Sequence, residues 1–167
     1  GQSITSERLQ AVDFTEPYYY ATIVTLVKEG SKYADAKSVA DLAGATCTSQ
    51  QSTIWYNTCL PQIQDANVLA ATASAPDMLM SLNADKCDLV VTDQPTGKGA
   101  YPNFKMIEFG GGDADFQVTD EDINIGISLK KGNTELKDAI NSVLTKMTKD
   151  DFSKMMDEAI SVQPLAN

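Results

Sequence analysis

Arg8 has the most distinctive chemistry in this sequence, because every other basic residue of the chain is a lysine. It closes the run Ser3-Ile4-Thr5-Ser6-Glu7-Arg8, in which three residues carry hydroxyl groups. A guanidinium offers a planar fork of donors that binds a carboxylate through two parallel hydrogen bonds, whereas a lysine is a point charge. Arg8 is therefore a candidate for binding a carboxylate. The alternative is a surface arginine paired with a nearby acid, an arrangement that contributes little to stability.

Asp93 is the candidate acid. It follows the apolar segment Leu89-Val90-Val91 after one threonine, and Pro95 comes shortly after it. An apolar run ended by an acid is typical of a buried parallel strand whose carboxyl end points into a ligand crevice. The alternative is that Asp93 caps the turn before Pro95.

A third candidate site is the polar turn Gln50-Gln51-Ser52-Thr53, which follows a predicted strand at Thr46–Ser49. Ile54 then opens a predicted helix. A turn between a strand and a helix N-terminus presents free backbone N–H groups that can bind an anion such as a carboxylate. The alternative is an ordinary N-capping turn.

Composition limits the possible functions. A chain of 167 residues, 43% of them hydrophobic and 22% charged, can bury a core as one domain or two small ones. A net charge of −10 and a pI near 4.3 argue against nucleic acid or an anionic membrane as partner, since both need basic patches. The absence of histidine excludes histidine-based triads and histidine metal ligands. We expect no catalytic residue, metal or cofactor, although carboxylate, lysine, tyrosine and cysteine chemistry stay open.

The three cysteines are Cys47, Cys59 and Cys87, and their spacings match no zinc-binding pattern. The sequence allows three alternative single disulfides, each of which would leave one thiol unpaired. It also allows a fully reduced state. We favour buried thiols, because free cysteine is among the most buried residue types. The cysteines therefore do not show whether the protein lies in an oxidising or a reducing cellular compartment.

Apolar patterns predict the elements that position the candidate residues. Strands are expected at Leu9–Asp13 and Ile23–Val27, and a helix from Ala75 should bury Met78, Leu79 and Leu82. Polar and apolar residues alternate from Asp122 to Leu129, which predicts a further strand. Two amphipathic helices are expected at 136–147 and 152–160.

These residues together resemble a known family. The segment Ser3–Tyr20, SITSERLQAVDFTEPYYY, resembles the type 3 extracytoplasmic (periplasmic) amino-acid-binding proteins, the bilobed receptors of ABC importers. In that family a hydroxyl-x-Thr-x-x-Arg run precedes a hydrophobic strand, Asp-Phe-Ser/Thr and an aromatic pair. The resemblance continues at Gln50–Thr53, where the family carries Gln-x-Gly-Thr or a close relative and Ser52 replaces the usual glycine. It continues again at Asp93, which matches an aspartate after an apolar strand.

The resemblance implies a role for each matched residue. Arg8, helped by Ser3 and Thr53, would bind the α-carboxylate of a free amino acid, and Asp93 would accept hydrogen bonds from its α-ammonium group. Gln50 matches the first position of the turn motif. Further candidates to line the side-chain pocket are Gln50, Asp122 and Asn124.

The resemblance also implies an α/β fold of the periplasmic binding protein-like II class, with two α/β lobes joined by two crossing strands. Residues 1–21 and 123–167 would form a partial first lobe, and residues 22–122 an inserted second lobe. Family members carry further residues before the position of Ser3. The first lobe is therefore expected to lack its N-terminal strands, and the chain to be a truncated piece.

The function implied is a receptor that captures a free amino acid between its lobes and delivers it to the permease of an ABC importer. Its location would be periplasmic or extracellular, and a membrane anchor on the full-length protein stays open. The alternatives are a ligand-sensing domain of a membrane receptor or kinase and, less favoured, a dehydratase-type enzyme. An incomplete lobe exposes an edge and an apolar face, which a dimer through that lobe would cover.

Overall fold

The computed structural model describes residues 1–162, which divide into two compact units. The discontinuous unit consists of Gly1–Thr22 and Thr119–Val162, and the continuous unit runs from Ile23 to Val118. The last five residues of the predicted first lobe, 163–167, lie outside the described residues.

Both units mix strands and helices, with bounds as follows. The strands are β1 (Gln2–Ser3), β2 (Val12–Phe14), β3 (Tyr19–Tyr20), β4 (Ile23–Lys28), β5 (Thr46–Thr48), β6 (Asn67–Val68), β7 (Leu89–Asp93), β8 (Phe104–Ile107), β9 (Asn124–Gly126) and β10 (Ser128–Lys130). The α-helices are α1 (Arg8–Ala11), α2 (Ala75–Asn83), α3 (Gln94–Lys98), α4 (Asp120–Ile123), α5 (Thr134–Leu144) and α6 (Lys149–Val162). Short 3₁₀ turns lie at Val39–Leu42, Leu60–Gln62 and Gly112–Ala114, and a π-helical turn at Trp55–Cys59.

The sheet of the continuous unit has five strands in the order β6-β5-β7-β4-β8. β5 runs parallel to β6 and β7, whereas β4 is antiparallel to β7 and β8. The first five residues of β4 and the first four of β7 are buried, as expected for strands covered on both faces. Their apolar runs explain this central position and confirm the strand predicted at Ile23–Val27.

Helix α2 covers one face of this sheet. Its N-cap is Ser74, whose hydroxyl accepts a hydrogen bond from the Asp77 backbone N–H at 3.3 Å, and Pro76 occupies the first turn. The predicted apolar face is confirmed, because three helix residues are buried against the sheet. They are Met78, Leu79 and Leu82, which pack with Val24, Leu26 and Val90.

The discontinuous unit contains two small antiparallel sheets, β1-β9-β3 and β10-β2. Its long helices bury little, since no residue of α5 or α6 is classed as buried. Val143 on α5 and Met155 on α6 are each 57% exposed. The Phe152 ring packs on Tyr18 with ring centroids 5.5 Å apart.

Two local predictions are wrong, and both fall in the discontinuous unit. The predicted strand at Leu9–Asp13 is instead α1 followed by β2, because Thr5 Oγ1 accepts the Arg8 backbone N–H at 3.2 Å and starts a helical turn. The strand predicted from Asp122 begins only at Asn124. Asp122 itself lies in α4, where it forms a capping box with Thr119.

Candidate functional site

Arg8 lies at the start of α1 and is partly buried. Its Nη1 atom donates a hydrogen bond to the Ser3 backbone carbonyl at 2.9 Å. No carboxylate forms an ion pair with this guanidinium within residues 1–162. One N–H group of the guanidinium is thus bound to β1. The remaining N–H groups keep their capacity to bind an anion.

Ser3 is the second residue of β1, in the same unit as Arg8. It pairs with Ile125 of β9, so β1 joins the edge of a three-stranded sheet. The bond from Arg8 to the Ser3 carbonyl closes the turn between the strand and the helix. The run from Ser3 to Arg8 is therefore one turn closed by hydrogen bonds.

Asp93 is the last residue of β7 and the N-cap of α3. Its Oδ1 atom accepts the Thr96 backbone N–H at 2.8 Å, so the capping alternative considered for this residue is correct. No ion pair involving its carboxylate is found in the described part of the chain. The cap uses Oδ1, and Oδ2 keeps its capacity to accept hydrogen bonds from a ligand.

Gln50 and Thr53 follow β5, the parallel neighbour of β7. Because parallel strands end at the same edge of a sheet, the structure brings Gln50, Thr53 and Asp93 to one edge of the continuous unit. Thr53 Oγ1 donates to the Gln50 carbonyl at 2.7 Å and accepts the Tyr56 N–H at 3.3 Å. The capping alternative is thus correct for Thr53 too.

Ser52 shows why a glycine suits this turn. Its φ angle is 59°, in the left-handed region that L-residues with side chains seldom adopt. The turn after β5 therefore keeps the backbone shape of a glycine-containing motif, although the sequence carries serine at that position.

Asp122 is held by local structure. Its Oδ2 atom accepts hydrogen bonds from the Thr119 N–H at 2.8 Å and from the Thr119 hydroxyl at 2.9 Å. These bonds explain its position as a capping residue of α4. Its proposed role in lining a pocket depends on the other carboxylate oxygen.

Sequence reasoning missed Glu121 as a partner of the Arg8 turn. The Ser6 hydroxyl donates to Glu121 Oε1 at 2.6 Å, and the Ser6 backbone N–H donates to Oε2 at 3.2 Å. These bonds lower the pKa of Glu121 below its usual value. The carboxylate anchors the turn that carries Arg8 to α4. No local pattern could have predicted it, because the two residues are 115 positions apart.

All three cysteines are buried and none of them forms a disulfide within residues 1–162, which confirms the favoured prediction of buried thiols. Burial raises the pKa of the Cys47 thiol to about 11 and that of the Cys87 thiol to about 12. Within residues 1–162 no group of three or more cysteine or acidic side chains is placed to hold a metal ion. None of the helices in that range is long and apolar enough to cross a bilayer.

A chain that leaves one α/β unit after Thr22 and returns to it at Thr119 has the topology of an α/β protein with an inserted domain. Arg8 lies in the discontinuous unit and Asp93 in the continuous unit. Each side chain has charged atoms that its local hydrogen bond does not use. These features fit the class of α/β solute-binding proteins, which the comparisons with known proteins test.

The family model for bacterial extracellular solute-binding proteins, family 3, matches residues 1–160, and the chain belongs to this family. A probable histidine-binding protein of Campylobacter jejuni is 30% identical over 94% of this chain and 54% of its own length. The ABC transporter glutamine-binding protein of Bacillus subtilis is 31% identical over 89% of this chain and 51% of its own. The chain thus spans about half the length of the curated relatives it matches.

A solved structure supports the same fold. The substrate-binding protein of an amino-acid ABC transporter from Streptococcus pneumoniae, bound to L-arginine, matches with a TM-score of 0.77 and 23% identity. The match covers 96% of this chain and 66% of that one. The periplasmic binding protein-like II fold expected from the sequence is therefore confirmed.

Proposed function

We propose that this chain binds a free amino acid and takes part in its delivery to the permease of an ABC importer. The observation that carries the proposal is the guanidinium of Arg8, which is tied to Ser3 yet forms no ion pair within residues 1–162. The family and its curated relatives, one named for histidine and one for glutamine, support this reading.

The chemistry of a free amino acid explains the choice of residues. It carries one negative and one positive charge, and removing either from water costs several kcal/mol unless a partner replaces the lost hydration. We infer that Arg8 binds the α-carboxylate, with the Ser3 hydroxyl and the Thr53 backbone N–H as further donors, because the Thr53 hydroxyl donates its one proton to the Gln50 carbonyl. Asp93 binds the α-ammonium group, because the Oδ2 atom of its carboxylate can accept a hydrogen bond from that group. Gln50 and Asp122 are proposed to line the pocket for the ligand's side chain.

Three further parts of the proposal concern the whole protein. Binding requires no metal or cofactor and includes no catalytic step, in keeping with relatives that are named for binding. The protein acts in the periplasm or outside the cell, where the family operates, and a full-length form could carry a membrane anchor. We also propose that the chain self-associates through its incomplete first lobe, where the exposed apolar side chains of α5 favour contact with a second copy.

A binding screen tests the proposal. Thermal unfolding of the wild-type chain against the twenty amino acids should show at least one ligand that raises the midpoint, because a ligand that binds the folded state stabilises it. Calorimetry then compares the wild type with Arg8→Lys and Asp93→Asn. We expect each substitution to weaken binding by about tenfold or more, since each removes a charge-assisted or bidentate hydrogen bond.

Lys149→Met is the matched control, because this exposed lysine at the start of α6 has no place in the proposed site. Its affinity should equal that of the wild type. A ligand whose affinity survives both Arg8→Lys and Asp93→Asn would show that these residues do not bind it.

A further inference from the structure

Ser49 is a buried serine directly after β5. It is 0% exposed, and its hydroxyl donates a hydrogen bond to the Val91 backbone carbonyl on β7 at 2.6 Å. The same oxygen lies 3.9 Å from the Met78 sulfur of α2, so the hydroxyl is enclosed where that helix meets the sheet. A hydroxyl in such surroundings costs free energy unless it is hydrogen-bonded, and the bond to Val91 meets that need.

The Ser49 hydroxyl extends the contact between two strands by one residue. The parallel pairing of β5 with β7 ends at Thr48 and Val90. The next pair in this register is Ser49 with Val91, which the serine hydroxyl joins. Val91 lies two residues before Asp93, about 7 Å along the strand. The bond therefore holds β7 close to the end that carries the proposed ammonium-binding residue.

The backbone of Ser49 is held from the other side of β5. Its carbonyl accepts the Thr72 N–H at 2.9 Å, and the Thr72 carbonyl accepts the Gln51 N–H at 2.9 Å. Thr72 also forms an isolated parallel bridge with Gln50. Ser49 thus joins three segments of the continuous unit, namely the segment around Thr72, the turn 50–53 and β7.

A second bond joins the same two strands at their other ends. Asp88, just before β7, accepts the Thr46 backbone N–H with its Oδ2 atom at 2.9 Å. Both bonds connect a side chain to a backbone group across β5 and β7. Of the two, the Ser49 bond is the one at the sheet edge where the turn 50–53 and Asp93 lie. Comparison of the two bonds therefore separates a role in the site from a role in stability.

We propose that Ser49 is a positioning residue of the amino-acid site, because its hydroxyl holds the turn 50–53 and Asp93 at a fixed separation. The inference rests on the proposed function and adds to it a buried residue that acts without touching the ligand. Gln50 follows Ser49 directly, and Thr53 is bonded to the Gln50 carbonyl within the same turn. A site whose groups are already in place binds more tightly, since less conformational freedom is lost on binding.

Removal of the hydroxyl has two separable consequences. Ser49→Ala removes the hydrogen bond to the Val91 carbonyl, which lowers the free energy of unfolding whatever the role of the serine. It also lets the turn 50–53 move relative to the end of β7, and this second effect is specific to the site. Asp88→Ala shares the first consequence and lacks the second, so it is the matched control.

Amide hydrogen exchange tests the bond without any ligand. The Gln51 amide reports on the turn, and the Thr96 amide reports on the Asp93 cap. In Ser49→Ala both should exchange about fivefold faster, relative to amides in the interior of β4, than in the wild type. Asp88→Ala should leave this ratio unchanged. Equal acceleration of all these amides in Ser49→Ala, or none at the two reporting amides, would overturn the positioning role.

Calorimetry tests the consequence for binding, with whichever of the twenty amino acids raises the unfolding midpoint of the wild type most. Ser49→Ala should weaken the affinity about fivefold, as expected for one neutral hydrogen bond, and Asp88→Ala should leave it within twofold. Made in an Asp93→Asn variant, Ser49→Ala should cost less than twofold, because the residue that it positions is already impaired. Equal losses in Ser49→Ala and Asp88→Ala, or full additivity with Asp93→Asn, would show that the serine serves stability alone.

Ser49→Cys provides a conservative second variant of similar size. Its thiol is a weak donor, so both the exchange ratio and the affinity should lie between those of the wild type and of Ser49→Ala. A thiol variant no better than alanine would count against the hydrogen bond as the cause.

The two proposals fail in different ways. A wild-type chain that binds none of the twenty amino acids contradicts the proposed function, and the exchange ratios still show whether Ser49 holds the turn to β7. A wild-type chain that binds an amino acid with an affinity that Ser49→Ala leaves unchanged contradicts the positioning role alone.

Discussion

Single residues in this protein separate into those whose polar atoms are used by the fold and those whose polar atoms are left free. Asp122 is held by two hydrogen bonds from Thr119, and Thr53 by two bonds within its own turn. Arg8 and Asp93 each use part of their side chain for local structure and keep charged atoms free. Such partial use suits a binding residue, because the local bonds orient the side chain before the ligand arrives.

Thr25 gives a test of how much an unpaired polar atom costs when no ligand can reach it. Its hydroxyl lies in the interior of β4 and forms no hydrogen bond within residues 1–162. Replacing it with valine removes the unpaired hydroxyl and keeps the branched shape. We expect Thr25→Val to raise the free energy of unfolding by about 1 kcal/mol, measured by urea denaturation.

Thr48→Val is the matched control on β5. The Thr48 hydroxyl donates to the Ala70 carbonyl at 2.9 Å, and the residue is 1% exposed. The same substitution should here lower the free energy of unfolding by about 1 kcal/mol, because it leaves a carbonyl unpaired. Equal effects at both positions would show that Thr25 has a partner after all.

At the scale of elements, the sequence predicted those strands and helices that follow from local patterns. β4 is a continuous apolar run, and α2 has a capping serine, a first-turn proline and an apolar face, so both could be predicted. The strand predicted at Leu9–Asp13 was wrong because a hydroxyl of Thr5 starts a helical turn that composition does not reveal.

The candidate site was predicted to the extent that it depends on short motifs. The sequence predicted a strand before Gln50 and Thr53 and a strand leading to Asp93, and the structure has β5 and β7 at these places. The link between Ser6 and Glu121 could not be predicted, because it joins residues far apart in the chain. The hydroxyl of Thr25, which forms no hydrogen bond within residues 1–162, could not be predicted either, since the sequence does not show which polar atoms are left without partners.

The strand pair β5 and β7 makes stability depend on pH through two thiols. Cys47 lies on β5, and Cys87 lies just before β7. Burial raises the pKa of Cys47 to about 11 and that of Cys87 to about 12, from about 9 in the unfolded chain. Between these values the unfolded chain loses protons that the folded chain keeps. The thiols' contribution to stability is therefore fully present below pH 9 and is lost as pH rises through 11 and 12.

Urea denaturation at pH 8, 9 and 10 measures this effect. The free energy of unfolding should fall above pH 9 by at most about 1.4 kcal/mol per thiol for each pH unit. Lysines and tyrosines also titrate in this range, so the control is Cys47→Ala/Cys87→Ala. The double variant should be less stable at pH 8 but show a shallower decline with pH. Parallel curves for the two proteins would mean that the thiols do not carry the pH dependence.

At the scale of the whole molecule, burial is divided unevenly between the two units. Within residues 1–162, the buried apolar side chains of the discontinuous unit are Phe14, Ala21 and Leu129, and all the others belong to the continuous unit. The large exposed apolar side chains show the opposite trend. Those of the discontinuous unit are Leu9, Tyr20, Leu136, Val143, Met155 and Val162.

This distribution predicts that the chain associates with itself through α5. Leu136 and Val143 are 47% and 57% exposed and lie two helical turns apart on one side of that helix. Burying them against a second copy is favourable, whereas the net charge of −10 opposes the approach of two copies. Sedimentation velocity should therefore show association that increases with protein concentration. It should also be stronger in 0.5 M salt than at low ionic strength, because salt screens the repulsion.

Val143→Glu tests the surface directly, since it places a charge in the middle of the apolar side of α5 and should leave the chain monomeric. Ser142→Glu adds the same charge to the adjacent exposed position, about 100° around the helix, and should associate as the wild type does. Association that falls with added salt would identify charged contacts in place of the apolar side chains. Equal association of the two variants would place the contact elsewhere on the chain.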